Sequence, residues 1–358
     1  MKGRLLYNRT EIQKEREADI DPILGSGPRE LCDALDGARL VITGASGFVG
    51  TAVLHELNRR LPPNHLKELT CVARRNPDPL KAGELENLSP KWLKADVESK
   101  LNDLQQADFL IHAATPSSAS IQARDPLSLV QGIVNGMNEI VNWAARNSNC
   151  PRILFTSSGA VYGDLDKGDK PMKETQHGIL ESYSAQHAYA EAKRFAETIL
   201  KLSGESGALQ PICARLFSFI GPNLPINGHF AVGNFLSDAI RRKPVVIAGT
   251  GNIRRSYLYE SDMAAWILRA LTIEEMPDAA LNIGSPQGMT LATAGELVAK
   301  AAGVPLAING DPNRDGSRLN YVPDTYFTET NLGVRQVVGF EESVCKSLNQ
   351  LGTYEVKC

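Results

Sequence analysis

From residue 40 onward, short continuous apolar runs alternate with longer stretches whose apolar positions recur every three to four residues. A run of about four to eight apolar residues bounded by turn formers reads as a strand buried on both faces, and the longer period reads as a helix with one buried face. Strands are therefore expected at 40–43, 69–73, 92–95, 109–112, 153–156 and 212–216, and helices at 50–60, 127–146 and 187–202. That order requires crossover connections, so the pattern predicts an α/β, doubly wound parallel sheet covered by helices on both faces.

After residue 216 the alternation breaks up. Helical patterns at 234–241, 291–302 and 341–351 lie between Gly- and Pro-rich loops, which predicts a smaller carboxyl-terminal lobe. Segments 257–271 and 281–284 are expected to return to the main sheet. Residues 1–37 precede the first strand. They are charged from Glu11 to Glu17, then apolar at Ile20, Ile23, Leu24, Leu31 and Leu35, with a break at Gly25-Ser26-Gly27-Pro28. One or two short helices docked on the main unit are expected there, with a partly disordered arm as the alternative. The division is thus an extension over 1–37, a main domain over 38–216 with a return segment over 257–284, and a lobe from 217–256 and 285–358.

Composition excludes several classes. The 358 residues suffice for one large α/β unit and a smaller lobe. A hydrophobic fraction of 42% and a charged fraction of 22% are those of a globular protein. A formal net charge of −3 leaves no electrostatic footprint for nucleic acid. The six cysteines (32, 71, 150, 213, 345 and 358) have no metal-type spacing, and several fall in strand-like runs where a thiol is a small core residue. The first residues have no apolar signal region and no stretch approaches the roughly 20 apolar residues of a membrane span, so the expected location is the cytoplasm.

Three motifs carry chemistry. The first is Gly44-Ala45-Ser46-Gly47-Phe48-Val49-Gly50, which follows the first strand and opens the first helix. Glycine at such a turn lets backbone amides approach a pyrophosphate, and the helix N-terminus adds free N–H groups and partial positive charge. The spacing is GxxGxxG, one residue wider at the start than the usual dinucleotide fingerprint. The second is Thr156-Ser157-Ser158-Gly159-Ala160-Val161-Tyr162-Gly163, a strand ending in hydroxyls. The third is Tyr189-Ala190-Glu191-Ala192-Lys193: four residues apart on a helix, the phenol and the ammonium share a face. A tyrosine with an unperturbed pKa near 10 is protonated at neutral pH, and a nearby cation favours its phenolate, so the pair can exchange a proton with an alcohol or sugar oxygen.

In this order and spacing the three motifs resemble the extended short-chain dehydrogenase/reductases of the nucleotide-sugar epimerase and dehydratase group, over about residues 38 to 340. The resemblance implies a Rossmann-type dinucleotide domain. Its catalytic residues would be Ser158, with Ser157 and Thr156 as the nearby alternatives, Tyr189 and Lys193, with Tyr183 as the other tyrosine in reach of the motif. Cofactor would lie on Gly44, Ser46, Gly47, Phe48, Val49 and Gly50, on Asp96 and Val97, on Ala113, Ala114 and Thr115, and on Tyr189 and Lys193. Where an acidic residue usually meets the ribose of NAD, the second strand ends in Arg74-Arg75; paired guanidinium groups suit a 2′-phosphate, so NADP is preferred, with NAD as the alternative. His112 reads as a core residue. Substrate would be held by Ser158, by Ile247 flanking a nucleotide base, and by Arg255 on the diphosphate with Arg314 as a second, weaker candidate; no metal is expected. Relatives commonly form homodimers through the long helices at 127–146 and 187–202.

One departure from the family bears on the reaction. Its 4,6-dehydratases carry an Asp-Glu pair after the active-strand threonine, and its UDP-glucuronate decarboxylases a glutamate; here Gly159 and Ala160 follow Ser158. Without a carboxylate, water elimination lacks its proton donor. The expected chemistry is hydride transfer at carbon 4 of a nucleotide-diphospho-sugar, as a 4-epimerase or a 4-keto reductase. The alternatives are a small carbonyl or alcohol reductase of the same superfamily and a non-catalytic NADP-sensing protein.

Overall fold

The computed structural model describes residues 23–24, 28–74, 85, 87–98, 101, 103–115, 125–163, 170–181, 183–226, 230–312 and 320–352. Its centre is a sheet of β1 (Arg39–Thr43), β2 (Glu68–Ala73), β3 (Lys91–Lys94), β4 (Phe109–His112), β5 (Arg152–Ser158), β6 (Gln210–Leu216) and β11 (Leu281–Ile283). They lie in the order β3-β2-β1-β4-β5-β6-β11, and every neighbouring pair is parallel.

Alternation along each strand divides the core into two layers, because successive side chains leave a strand on opposite faces. Leu40, Ile42, Cys71, Ile111 and Leu154 face one way, into a cluster with α1 (Pro28–Leu35), α2 (Phe48–Arg60) and α6 (Glu260–Thr272). Val41, Val72, Leu110, Ile153 and Phe155 face the other way, into a cluster with α3 (Pro126–Ala145) and α4 (Ala188–Glu205). Burial on both faces is why these strands read as continuous apolar runs.

The extension contributes to this core: Leu31 and Leu35 of α1 are fully buried, and Glu30 pairs with Arg269 of α6. Segment 257–271 returns in a different form from the one expected. Residues Leu258–Tyr259 (β10) pair with Phe219–Ile220 (β7) outside the central sheet, and α6 then covers the sheet as a helix buried nearly all round. Only β11 joins the main sheet.

A third cluster gathers α5 (Ala231–Ile240), α7 (Leu291–Ala302), α9 (Phe340–Leu351) and the pair β8 (Val245–Ile247) and β13 (Leu306–Ile308). Beside it, β9 (Arg254–Ser256) lies between β12 (Gly288–Thr290) and β14 (Asn320–Tyr321). The short helix α8 (Tyr326–Leu332) packs back on β11, and Leu332 belongs to the main core. Among the described residues no helix is long and apolar enough to cross a membrane, and no group of three or more His, Cys, Asp or Glu could hold a metal ion.

Candidate active site

In the strand order the chain winds outward through β2 and β3 on one side of β1 and through β4, β5 and β6 on the other. The crevice beyond the carboxyl ends of β1 and β4 is where open α/β sheets take their ligands. The glycine turn leaves β1 there, and Ala113, Ala114 and Thr115, all half-buried, leave β4 beside it. Gly44 has φ +71°, and a Cβ on it would stand 2.6 Å from the carbonyl of Ala113, so only glycine lets the two loops meet. Ser46 and Gly47 are exposed. Gly47 caps α2 without a side-chain hydrogen bond, and the first turn of that helix carries no acid. Its leading amides thus face the crevice with nothing anionic of their own, while Phe48 and Val49 pack on the main core behind them.

The other presumed cofactor contacts differ in kind. Arg74 follows β2 and is exposed; it is the cation opposing the mutual repulsion of Asp96 and Glu98, which with burial raises the Glu98 carboxyl. Asp96 accepts the backbone N–H of Glu98, a turn role. Val97 is buried against the place where Gly136 of α3 has no side chain. His112 is buried and bonded through Nδ1 to Thr43 Oγ1 at 2.8 Å; burial and the Lys193 charge push it down to about 3, so it is a neutral core residue. Arg75 and Arg314 lie outside the described residues.

Strand β5 and helix α4 bring the reactive side chains together. Ser158 ends β5, and its Oγ accepts the N–H of Ala160 at 3.1 Å; the same hydroxyl neighbours the Tyr189 phenol and favours its ionised form. Lys193, one turn along α4, is 1% exposed; its Nζ donates to Thr156 O at 2.7 Å and to Thr115 Oγ1 at 2.9 Å. The ammonium also stands 4.5 Å from the Phe155 ring centroid and 5.9 Å from that of Tyr189. Burial pushes Lys193 down to about 7, against the pull of Cys213 and the Glu197 carboxylate.

The expectation that the lysine lowers the tyrosine is not met in this state. Burial, with a contribution from the neighbouring Tyr321 phenol, raises Tyr189 to about 12 in spite of the nearby Ser158 hydroxyl. The phenol therefore begins as a proton donor. Tyr183 is fully exposed, in a groove between α3 and α4, so the choice between the two tyrosines falls on Tyr189.

The spacing did not reveal Tyr321. A Cβ on Gly159 would lie 2.7 Å from the Tyr321 hydroxyl and 2.8 Å from the Phe217 ring, so these two aromatic side chains fill the space that a residue at 159 would project into. Their ring centroids are 4.8 Å apart. On its other side the Tyr321 ring lies 5.6 Å under the Arg255 guanidinium, whose strand β9 pairs with β14. Tyr321 thus lies between Tyr189 and Arg255. Ile247 is 3% exposed and packs on Gly295 of α7, within the third cluster.

The chain matches the model of the NAD dependent epimerase/dehydratase family over residues 40–284. It belongs to that family. It is an enzyme of the short-chain dehydrogenase/reductase type. UDP-glucuronic acid decarboxylase 3 of Arabidopsis thaliana is 27% identical over 314 residues, 86% of this chain and 86% of that protein. The UDP-glucose 4-epimerase of Thermotoga maritima, solved with UDP-glucose, shares the fold at a TM-score of 0.74 and 22% identity, covering 87% of this chain and 98% of that one. The UDP-glucuronic acid 4-epimerase of Bacillus cereus, solved with UDP-glucuronic acid and NAD, does so at 0.73 and 17%, with the same coverage. The family's dinucleotide fits the crevice: Gly44, the start of α2, whose first turn carries no acid, and the small residues after β4 with Thr115 form a cradle.

Proposed function

We propose that the protein transfers hydride at carbon 4 of a nucleotide-diphospho-sugar, as a 4-epimerase or 4-keto reductase, and that it is not a 4,6-dehydratase. The observation that carries this reading is Gly159 packed under Tyr321 and Phe217. Elimination and decarboxylation in this family draw on an acid after the active-strand hydroxyl. Here that acid is lacking, and its space is filled by a neutral phenol and a phenyl ring. The two structural neighbours named above are described as 4-epimerases, which agrees; the decarboxylase relative is described by a reaction this chain has no side chain at 159 to assist.

A bound nicotinamide cofactor supplies the hydride acceptor and donor. The chain's own residues do the rest. Tyr189 gives a proton to the oxygen on carbon 4, or takes one from it. Ser158 aligns that oxygen by hydrogen bonding. Lys193, as its ammonium, favours the phenolate that the reverse transfer needs. Binding of the remote diphosphate by Arg255 holds the sugar in place, and Tyr321 couples the two ends.

The test is calorimetry with UDP, dTDP, CDP and GDP. One of them should bind the wild type, and Arg255→Ala should weaken it by about one to two powers of ten, since a charge-assisted hydrogen bond contributes about 1.5–3 kcal/mol. Arg255→Lys should restore part of the loss, because a point charge lacks the planar pair of donors. If no diphosphate binds at about millimolar concentration, the small carbonyl reductase takes precedence.

For the cofactor we infer NADP ahead of NAD, from Arg74-Arg75 at the end of β2 and the absence of a carboxylate in that stretch. Fluorescence titration should show NADPH binding tighter than NADH, with the gap closed by neutralising both arginines; equal affinities in the wild type would rule the preference out. We also infer a homodimer through α3 and α4.

A further inference from the structure

Glu197 lies one helical turn beyond Lys193, on the same face of α4, and takes no part in the chemistry above. Its carboxylate is 14% exposed and accepts three hydrogen bonds from two residues. Ser157 of β5 donates to it at 2.5 Å. Arg215 of β6 grips it with two nitrogens, Nε at 3.1 Å and Nη2 at 2.8 Å. Ser157 and Arg215 are register partners on parallel strands, so their side chains leave the sheet on one face, side by side, and Glu197 closes over both. Arg215 continues through Nη1 to the Tyr162 hydroxyl at 3.1 Å, and Tyr162 donates to Asn282 at 2.6 Å. Ser158 is therefore bracketed: the residue before it is tied to the catalytic helix, and Tyr162 after it is tied to the same arginine.

We propose that Glu197 is a positioning residue of the active site: clamped by Arg215, it holds Ser157, and through it the Ser158 hydroxyl, against the helix carrying Tyr189 and Lys193, and it is the counter-charge that keeps Lys193 an ammonium. The inference rests on Ser158, Tyr189 and Lys193 being the reacting set, not on any particular sugar. The need is physical. Lys193 sits over Phe155 in a dry layer, bonded to two uncharged oxygens. The titratable groups around it are Tyr189 on its own helix, Cys213 on β6 and His112 on β4, with Glu197 the one held in an ion pair. A lone buried ammonium gives up its proton. A purely structural ion pair would stabilise the fold without touching that equilibrium, so titration separates the two roles.

The experiment is NMR titration of the full-length protein with 13C-labelled lysine, the Lys193 signal being assigned by its loss in Lys193→Arg. In Glu197→Gln the Lys193 midpoint should fall by about one pH unit or more, the usual effect of removing an opposite charge at close range. Should Glu197→Gln fail to fold because Arg215 is left buried and uncompensated, the double variant Glu197→Gln/Arg215→Gln should show a lower Lys193 midpoint than Arg215→Gln alone, a comparison from which the guanidinium is absent on both sides. An unchanged Lys193 midpoint in a folded variant overturns the proposal. Because the readout needs no substrate, it stands or falls apart from the diphosphate calorimetry: a shifted midpoint with no diphosphate bound would retain Glu197 and discard the nucleotide-sugar reading.

Discussion

At the residue scale, Tyr189 is the proposed carrier of the reacting proton, and its surroundings set its starting state. Tyr189 is raised to about 12 by burial, while Lys193 is pushed down to about 7. Near neutral pH the two sit on the protonated side and at the midpoint of their titrations, the condition from which a phenol donates. Tyr189→Phe should leave folding and dinucleotide binding nearly intact and lower turnover by at least about a hundredfold, the lower end of what a positioned acid or base contributes. The measurement is steady-state turnover of whichever nucleotide-sugar the wild type accepts, alongside a cofactor titration. Retained turnover within about tenfold, roughly 1.4 kcal/mol of barrier, would assign the proton elsewhere, and Tyr183 is too exposed to inherit it. That Tyr189, Lys193 and Ser158 come together was legible because the proposed roles fix residue type and spacing. Glu197 left a weaker signal, an acid four residues after the lysine on the same face. Tyr321 left none, because its place depends on β14 pairing with β9 far from either motif in sequence.

At the element scale, periodicity located what it can locate. The strands of the main sheet and the longer helices fall within a few residues of their expected bounds, since each is long enough for a buried face to repeat. The two- and three-residue strands β7, β9, β10, β12 and β14 were not legible, for a strand that short shows no period. Helix α6 was read as part of a return to the sheet because it is buried nearly all round and so lacks a polar stripe. Its first turn places two acids in the core. Glu260 accepts from the backbone and side-chain nitrogens of Asn223, and Asp262, fully buried, accepts the N–H groups of Val337 and Val338 at 2.8 and 3.0 Å. Burial, reinforced by Glu56 and Glu342, raises Asp262 to about 6 from 3.8. A folded-state value above the unfolded one means that the native state holds the proton more tightly. This contribution to stability is present below about pH 4 and is lost as pH rises through about 6. The shift corresponds to roughly 3 kcal/mol. Relative to Asp262→Asn, the wild type should therefore lose unfolding free energy by up to that amount between about pH 4 and 7 in urea titrations; a difference that stays flat with pH would show that Asp262 does not titrate in this range.

At the scale of the whole molecule, the outer face of α3 and α4 is the surface left to account for. The two helices pack on each other and on the sheet through Ile133, Met137, Ile140, Ala192, Ala196 and Leu200. Their other sides carry Leu127, Phe195 and Leu202, each more than half exposed, among polar residues such as Gln131, Asn135 and Thr198, and between the helices runs a groove lined by Val130, Val134, Ala188 and Phe195 together with Ser184 and Glu191. A two-fold pairing would let one such mixed patch serve as both halves of an interface. Helix α4 also carries Tyr189 and Lys193 on its inner face, so pairing would stiffen the element that holds the reacting groups. Phe195 is two residues from Lys193 yet points away from it, which makes it the place to cut the interface without entering the site. The wild type should sediment at twice the chain mass at about 10 μM, and its melting temperature should rise with protein concentration, as mass action requires when the paired state is the folded one. Phe195→Glu should sediment as a monomer with its circular dichroism unchanged, because a charge is easily solvated on a free surface and costly to bury in a paired one. A wild type that remains monomeric at about 100 μM would remove the dimer and leave the groove without an occupant.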